Sequence, residues 1–176
     1  MISDLKAQLA LHERRWKPRP RVAPVHYDAE AILSGQVVEN EHGRFFLHEK
    51  FYPLHRRHGS VEFSQILELP AEALLGLSRG EIPPCPPRRW AFLDTETTGL
   101  AGGAGTCAFL VGVGALEETG FRVRLFFMRD YDEEPAMLEG LAEFLAGFDL
   151  LVTYNGKTFD APLLETRYRL ARLPFP

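Results

Sequence analysis

The sequence predicts an α/β domain on a mixed sheet, in the order three meandering strands, helix, strand, helix, with a small α+β segment before it. Three observations predict this. WAFLD at 90–94 and CAFLVGVGALEETGFRVRLFFM at 107–128 are apolar, β-branched and aromatic runs broken by a turn signal at Glu118-Thr119-Gly120. Glu133 to Phe148 then carries Met137, Leu138, Leu141, Phe144, Leu145 and Phe148 at spacings of three and four, the mark of an amphipathic helix. Strand character returns at Leu150 to Tyr154, and a further helical pattern covers Leu163 to Leu173.

The elements before this core read as follows. Ile2 to Trp16 is a short helix, closed by Pro18 and Pro20 in the basic stretch RRWKPRPR, which reads as a solvated arm, with nucleic-acid backbone contact as the alternative. VVENEHGRFFLHEKFY, from 37 to 52, is a hairpin around Glu41-His42-Gly43. LHRRHG at 54–59 sets two histidines around two arginines; basic neighbours disfavour a cation there, so it reads as a surface or structural segment, with phosphate contact as the alternative. A short helix is expected over 70–77, and IPPCPPRR follows, prolines at a density that favours an extended spacer. The chain is therefore divided into 1–24, a helix and basic tether; 25–81, a small hairpin-containing segment; 82–89, a proline-rich linker; and 90–176, the α/β domain.

With 176 residues, 45% hydrophobic and 25% charged, the chain has a globular composition and can bury a core. Residues 1–90 hold 13 Lys/Arg and 11 Asp/Glu, a balance of +2, whereas 91–176 hold 7 and 13, a balance of −6. Cys85 and Cys107 form neither a disulfide framework nor a zinc spacing, which fits a reducing compartment. The N-terminus lacks a secretory pattern, and the longest apolar run, Cys107 to Leu116, is far short of the ~20 residues that cross a bilayer. The expectation is a soluble, cytoplasmic protein with no membrane contact.

The chemistry concentrates in FLDTETTGL at 92–100 and YNGKTFD at 154–160. Asp94 and Glu96, two apart at the end of a strand, leave it on one face. Two carboxylates there repel one another unless protons or cations intervene, and hard divalent cations with oxygen ligands answer the problem. Gly99, Gly102, Gly103 and Gly105 open the exit for a ligand. Asn155 is expected at the carboxyl end of a neighbouring strand and Asp160 near the first turn of the next helix, where Pro162 is tolerated. Ligands of such sheets bind at the carboxyl ends of strands. Two ions about 4 Å apart on such carboxylates can activate water and stabilise a leaving oxygen in phosphodiester hydrolysis. Asp94 is best placed to bridge both ions, Glu96 to hold one and Asp160 the other.

DTETTGL followed some sixty residues later by NGKTFD resembles the first two motifs of the DnaQ-like, or DEDD, 3′-to-5′ exonucleases on a ribonuclease H-like fold. The chain is more closely similar to the YprB-like ribonuclease H-like domain proteins, in NGKxFD, in the glycine-rich passage and in the upstream YPLHRRHG, over most of residues 30–176. The resemblance implies a mixed-sheet ribonuclease H-like fold and Mg²⁺ or Mn²⁺, two ions, on Asp94, Glu96 and Asp160 as the catalytic residues. It also implies a single-stranded DNA or RNA 3′ end near Thr97 and Asn155, with Leu100 against the terminal base. Lys157 keeps two readings, a phosphate contact and a plain solvent-exposed lysine. The family completes its site with a His or Tyr a few residues before a fourth acid. Only sixteen residues follow Asp160, and Tyr168 has Arg172 where the acid belongs. The third motif is therefore missing, the chain reads as cut short at its C-terminus, and these 176 residues alone are expected to be inactive.

Two rival readings stand beside this one. Gly156-Lys157-Thr158 between strand and helix resembles the end of a P-loop, but that motif needs glycine at 151, where the chain has Leu151. The other rival is a nucleic-acid or protein-binding module that keeps the fold without turnover.

Overall fold

A computed structural model of the chain describes residues 29–99 and 105–176. The expected helix at 2–16, the basic arm, Leu100, Gly102 and Gly103 lie outside the described residues. The elements are α1 (Ala29–Ile32), β1 (Gly35–Asn40), β2 (Gly43–Pro53), β3 (Arg57–His58), β4 (Val61–Glu62), α2 (Phe63–Leu67), α3 (Ala73–Leu77), β5 (Trp90–Thr97), β6 (Ala108–Leu116), β7 (Gly120–Phe127), α4 (Glu134–Leu145), β8 (Leu150–Val152) and α5 (Asp160–Ala171). Six strands form one sheet in the order β1-β2-β7-β6-β5-β8, and β3 pairs with β4 in a separate ribbon. β5, β6 and β7 are the antiparallel meander, and β8 joins β5 in parallel after the α4 crossover. This is the mixed ribonuclease H-like arrangement.

The hairpin expected upstream of residues 82–89 adds two strands to this same sheet. Its second strand runs antiparallel to β7 from Phe46 opposite Phe127 to Pro53 opposite Gly120, covering what would otherwise be an open strand edge. Phe45 stacks on Phe126 of β7 with ring centroids 5.9 Å apart. The small segment and the later domain thus share one sheet and one core. Nor is the proline stretch a bare spacer: Cys85 and Pro87 are buried, and the Trp90 indole donates to the Cys85 carbonyl at 2.9 Å.

The core lies between one face of the sheet and helices α4 and α5. Ala91, Leu93, Val111, Val113 and Phe126 meet Met137, Leu138 and Leu141 of α4 and Leu163, Leu164 and Tyr168 of α5. The apolar stripe of α4 explains its placement, with Pro135 in its first turn where no helical hydrogen bond is lost. α5 starts at Asp160, earlier than the apolar pattern indicated, and ends at Arg172 in the left-handed conformation. Cys85 and Cys107 are both free and buried. Among the described residues no helix is long and apolar enough to cross a membrane.

Candidate active site

β5 is buried at Trp90, Ala91 and Leu93 and emerges at Asp94 and Glu96, both exposed. Directly opposed residues of an antiparallel pair share a sheet face, so the register traces rows across four strands. Glu96 lies in a row with Leu110, Phe127 and Phe46; Asp94 with Gly112, Leu125 and His48; Phe92 with Gly114, Val123 and Lys50. Thr95 belongs to the alternate row of Val111, Phe126 and Leu47, which faces the helices. The carboxylate pair therefore leaves the sheet on the face away from α4 and α5.

Asp160 reaches the end of β5 from the other side. It opens α5, which follows β8, the parallel neighbour of β5. Its side chain is 2% exposed, and its Oδ1 accepts a hydrogen bond of 2.6 Å from the Thr95 hydroxyl. Its Oδ2 is buried with no hydrogen-bond partner. Thr95, between Asp94 and Glu96 in the chain, is the link between the two motifs. Sequence reasoning passed over it; the only signal for it is that the middle residue of D-x-E must face the opposite side of the strand.

The three carboxylates meet at one strand end without converging on a point. Among the described residues the one set of three ligating side chains with atoms within 4.8 Å of each other is Glu41, His42 and Glu139, at the hairpin turn against α4. The donor set at β5 nonetheless fits a hard cation, being all oxygen and including a buried carboxylate oxygen without a partner. The other acids of the C-terminal half are mostly engaged. Glu117 pairs with Arg122, Glu134 with Arg167, Asp149 with Arg89 and Glu133 with Arg129. Burial pushes the Glu133 carboxyl up, but hydrogen bonds and charge from Arg129 outweigh this and hold it below the ordinary range. Asp94 and Glu96 have no such cation among the described residues.

YNGKTFD forms a compact turn between β8 and α5. The strand ends at Val152, so exposed Asn155 sits three residues beyond it, and its carbonyl accepts from the Thr158 and Phe159 amides at 3.0 Å. Gly156 is buried, and a Cβ there would lie 1.9 Å from the Thr153 hydroxyl that accepts its amide. The glycine is thus explained by packing within the turn. Lys157 is exposed, and no glycine-rich loop precedes it to wrap a phosphate. Thr97, at a bulge in β5, donates to the Gly99 carbonyl at 3.0 Å, while Thr98 and Cys107 are joined by a backbone and a side-chain hydrogen bond. Leu100 lies outside the described residues. Arg88 and Arg89 precede β5 at the end opposite to Asp94, and Arg89 is held by Asp149 through hydrogen bonds of 2.7 and 2.8 Å. Tyr168 is fully buried and donates to the Leu138 carbonyl at 2.7 Å, which makes it a core residue and not a site residue.

Comparison with known proteins covers the part of the chain that contains this geometry. Residues 91–176 match the model of the RNase_H superfamily, a span that starts one residue into β5 and includes Asp94, Glu96 and Asp160. These residues belong to the RNase_H superfamily. It is also 37% identical over 187 aligned residues to protein YprB of Bacillus subtilis (strain 168), an alignment covering 99% of the chain and 44% of that protein. The chain thus spans less than half the length of this relative. The superfamily match begins only at Ala91, whereas the YprB similarity also takes in the β1–β2 hairpin and the β3–β4 ribbon.

Proposed function

We propose that the chain carries the first part of a metal-dependent nuclease site that trims single-stranded DNA or RNA from its 3′ end. The observation that carries this reading is Asp160: a buried carboxylate with one oxygen on Thr95 and the other without a partner, at the strand end where Asp94 and Glu96 have no partner among the described residues. Asp94, Glu96 and Asp160 would hold Mg²⁺ or Mn²⁺, two ions. Bound cations of this kind supply a water acidified enough to attack a phosphodiester and charge to offset the leaving oxygen. The chain's own residues have the remaining tasks. Thr95 positions the Asp160 carboxylate; Thr97 and Asn155 flank the strand end; Lys157, which is exposed, meets a phosphate. Membership of the RNase_H superfamily supports nucleic acid as the substrate class.

The test is trimming of 5′-labelled single-stranded DNA and RNA in Mg²⁺ or Mn²⁺ by the full-length protein. Asp94→Asn and Asp160→Asn are each expected to reduce the rate at least 100-fold with the fold intact by circular dichroism. Unchanged trimming in both would remove the assignment. One observation favours a second reading, a binding module without turnover: the three carboxylates do not converge, and Asp160 already engages Thr95. Strand binding with no metal-dependent trimming by the wild-type protein would select that reading.

A further inference from the structure

The sheet face that bears Asp94 and Glu96 also bears, toward its other end, a basic and aromatic pocket that includes Arg56, Arg57 and His58 of LHRRHG. It has a volume of about 390 Å³ and is lined by Tyr52, Arg56, Arg57, His58, Phe63 and Phe121. Its assembly follows from the chain path. Tyr52 lies opposite Phe121 across the β2–β7 ladder, on the face of Lys50 and Val123. The chain then turns, with the Arg56 amide bonded to the Pro53 carbonyl at 2.9 Å, runs through the β3–β4 ribbon and returns as α2. Phe63, the first residue of α2, stacks on Phe121 with centroids 4.7 Å apart and planes within 1°.

Around this aromatic floor the cations stand outward. Lys50, Arg56, Arg57 and His58 are all exposed. The Arg56 guanidinium lies 5.0 Å and the Lys50 ammonium 5.4 Å from the centre of the Tyr52 ring. The acid facing Arg57 is Glu62, 3.8 Å away in an exposed pair that holds neither side chain firmly. From the pocket an aromatic path leads to the carboxylates: Phe92 meets Phe121 edge-on at 5.7 Å and precedes Asp94 by two residues on the same face. Gly114 leaves room for this path, since a Cβ there would lie 2.3 Å from the Phe121 ring.

We propose that this pocket is a single-stranded nucleic-acid subsite, placed upstream of the hydrolytic site on the same sheet face. Arg56 and Arg57 hold backbone phosphates, the Tyr52 ring takes a base, and the strand passes over Phe121 and Phe92 to reach Asp94 and Glu96. Interleaved cations and aromatic faces suit a strand of any sequence, because every base has a π-face and every link a phosphate. The charge distribution needs such a subsite. Residues 91–176 carry a balance of −6 and repel a polyanion, whereas these cations all come from the half with a balance of +2. Two or three strand spacings and four residues along the strand separate the pocket from Asp94, about 15–20 Å, so a strand of roughly four or more nucleotides is needed to use both. The inference rests on Asp94 and Glu96 being the hydrolytic site, and its test separates the two.

The experiment is fluorescence anisotropy of 5′-labelled 12-nucleotide single-stranded DNA and RNA, in EDTA, with the full-length protein. The Arg56→Gln/Arg57→Gln double variant, exposed at both positions, is expected to bind at least tenfold more weakly, with a salt slope shallower by about 1.5. Tyr52→Leu is expected to weaken binding about fivefold, while Asp94→Asn retains it. Binding by the double variant within twofold of the wild type, with circular dichroism unchanged, overturns the subsite. If Asp94→Asn leaves trimming intact while the arginine variant loses binding, the hydrolytic reading falls and the pocket stands. The DNA and RNA arms decide which sugar the subsite prefers.

Discussion

Tyr168 owes its position to burial. It is 0% exposed, and its hydroxyl donates to the Leu138 carbonyl across the α4–α5 packing. Desolvation by the core raises its pKa well above the ordinary tyrosine value of about 10. A group whose folded pKa is raised contributes stability that is complete below the unfolded value and is lost as pH climbs past it, because the unfolded chain ionises first. Tyr168→Phe is therefore expected to cost about 1 kcal/mol at pH 7, the lost hydrogen bond, and to flatten the fall in stability above about pH 10. Urea unfolding at pH 7 and at pH 10.5 reads both effects; equal pH slopes in the two proteins would contradict them. At the site itself, D-x-E spacing already told that Asp94 and Glu96 share a face. That Thr95 would hand a hydrogen bond to Asp160, 65 residues on, had no local sign.

Among the elements, α4 packs tightly on the sheet at Gly140, where an added Cβ would lie 2.6 Å from the Phe45 ring. Helix propensity alone favours alanine by about 1 kcal/mol, but overpacking a ring that is 1% exposed costs about 1–3 kcal/mol. The clash is the larger effect, so Gly140→Ala is expected to lower Tm. Gly76 in α3 has nothing within 4 Å of such a Cβ, and Gly76→Ala is expected to raise stability by about 0.4–1 kcal/mol. Thermal unfolding of the two variants checks the opposite signs. The same helix shows what periodicity can reveal: its stripe of Met137, Leu138 and Leu141 was legible because a 3.6-residue repeat is local. The tight approach of Phe45 was not, because the hairpin that carries it is 95 residues away. α5 began three residues before its apolar pattern for a related reason, since Asp160 is polar yet buried against Thr95.

For the molecule as a whole, the two core helices are joined by a buried ion pair. Arg167 of α5 donates to both Glu134 oxygens, at 2.7 and 2.5 Å, with both side chains about nine-tenths buried. Removing the guanidinium leaves Glu134 in a dry setting, so Arg167→Ala is expected to cost about 3–5 kcal/mol, while the double change Arg167→Met/Glu134→Met recovers much of it. Urea midpoints of the single and double variants decide this; an unrecovered double variant would mean that packing, and not charge, sets the cost.

By itself the sequence determined the strand and helix order, the paired carboxylates and the second Asn/Asp motif, because alternation, helical repeat and i, i+2 spacing are properties of neighbouring residues. Only the tertiary structure decided that the hairpin joins the main sheet, that Asp160 approaches β5 from the helix side, and that Tyr52 and Arg56 lie on the face of Asp94. Those relations depend on strand register across the sheet, which between β2 and β7 pairs residues 67 to 81 positions apart and carries no short-range trace in the chain.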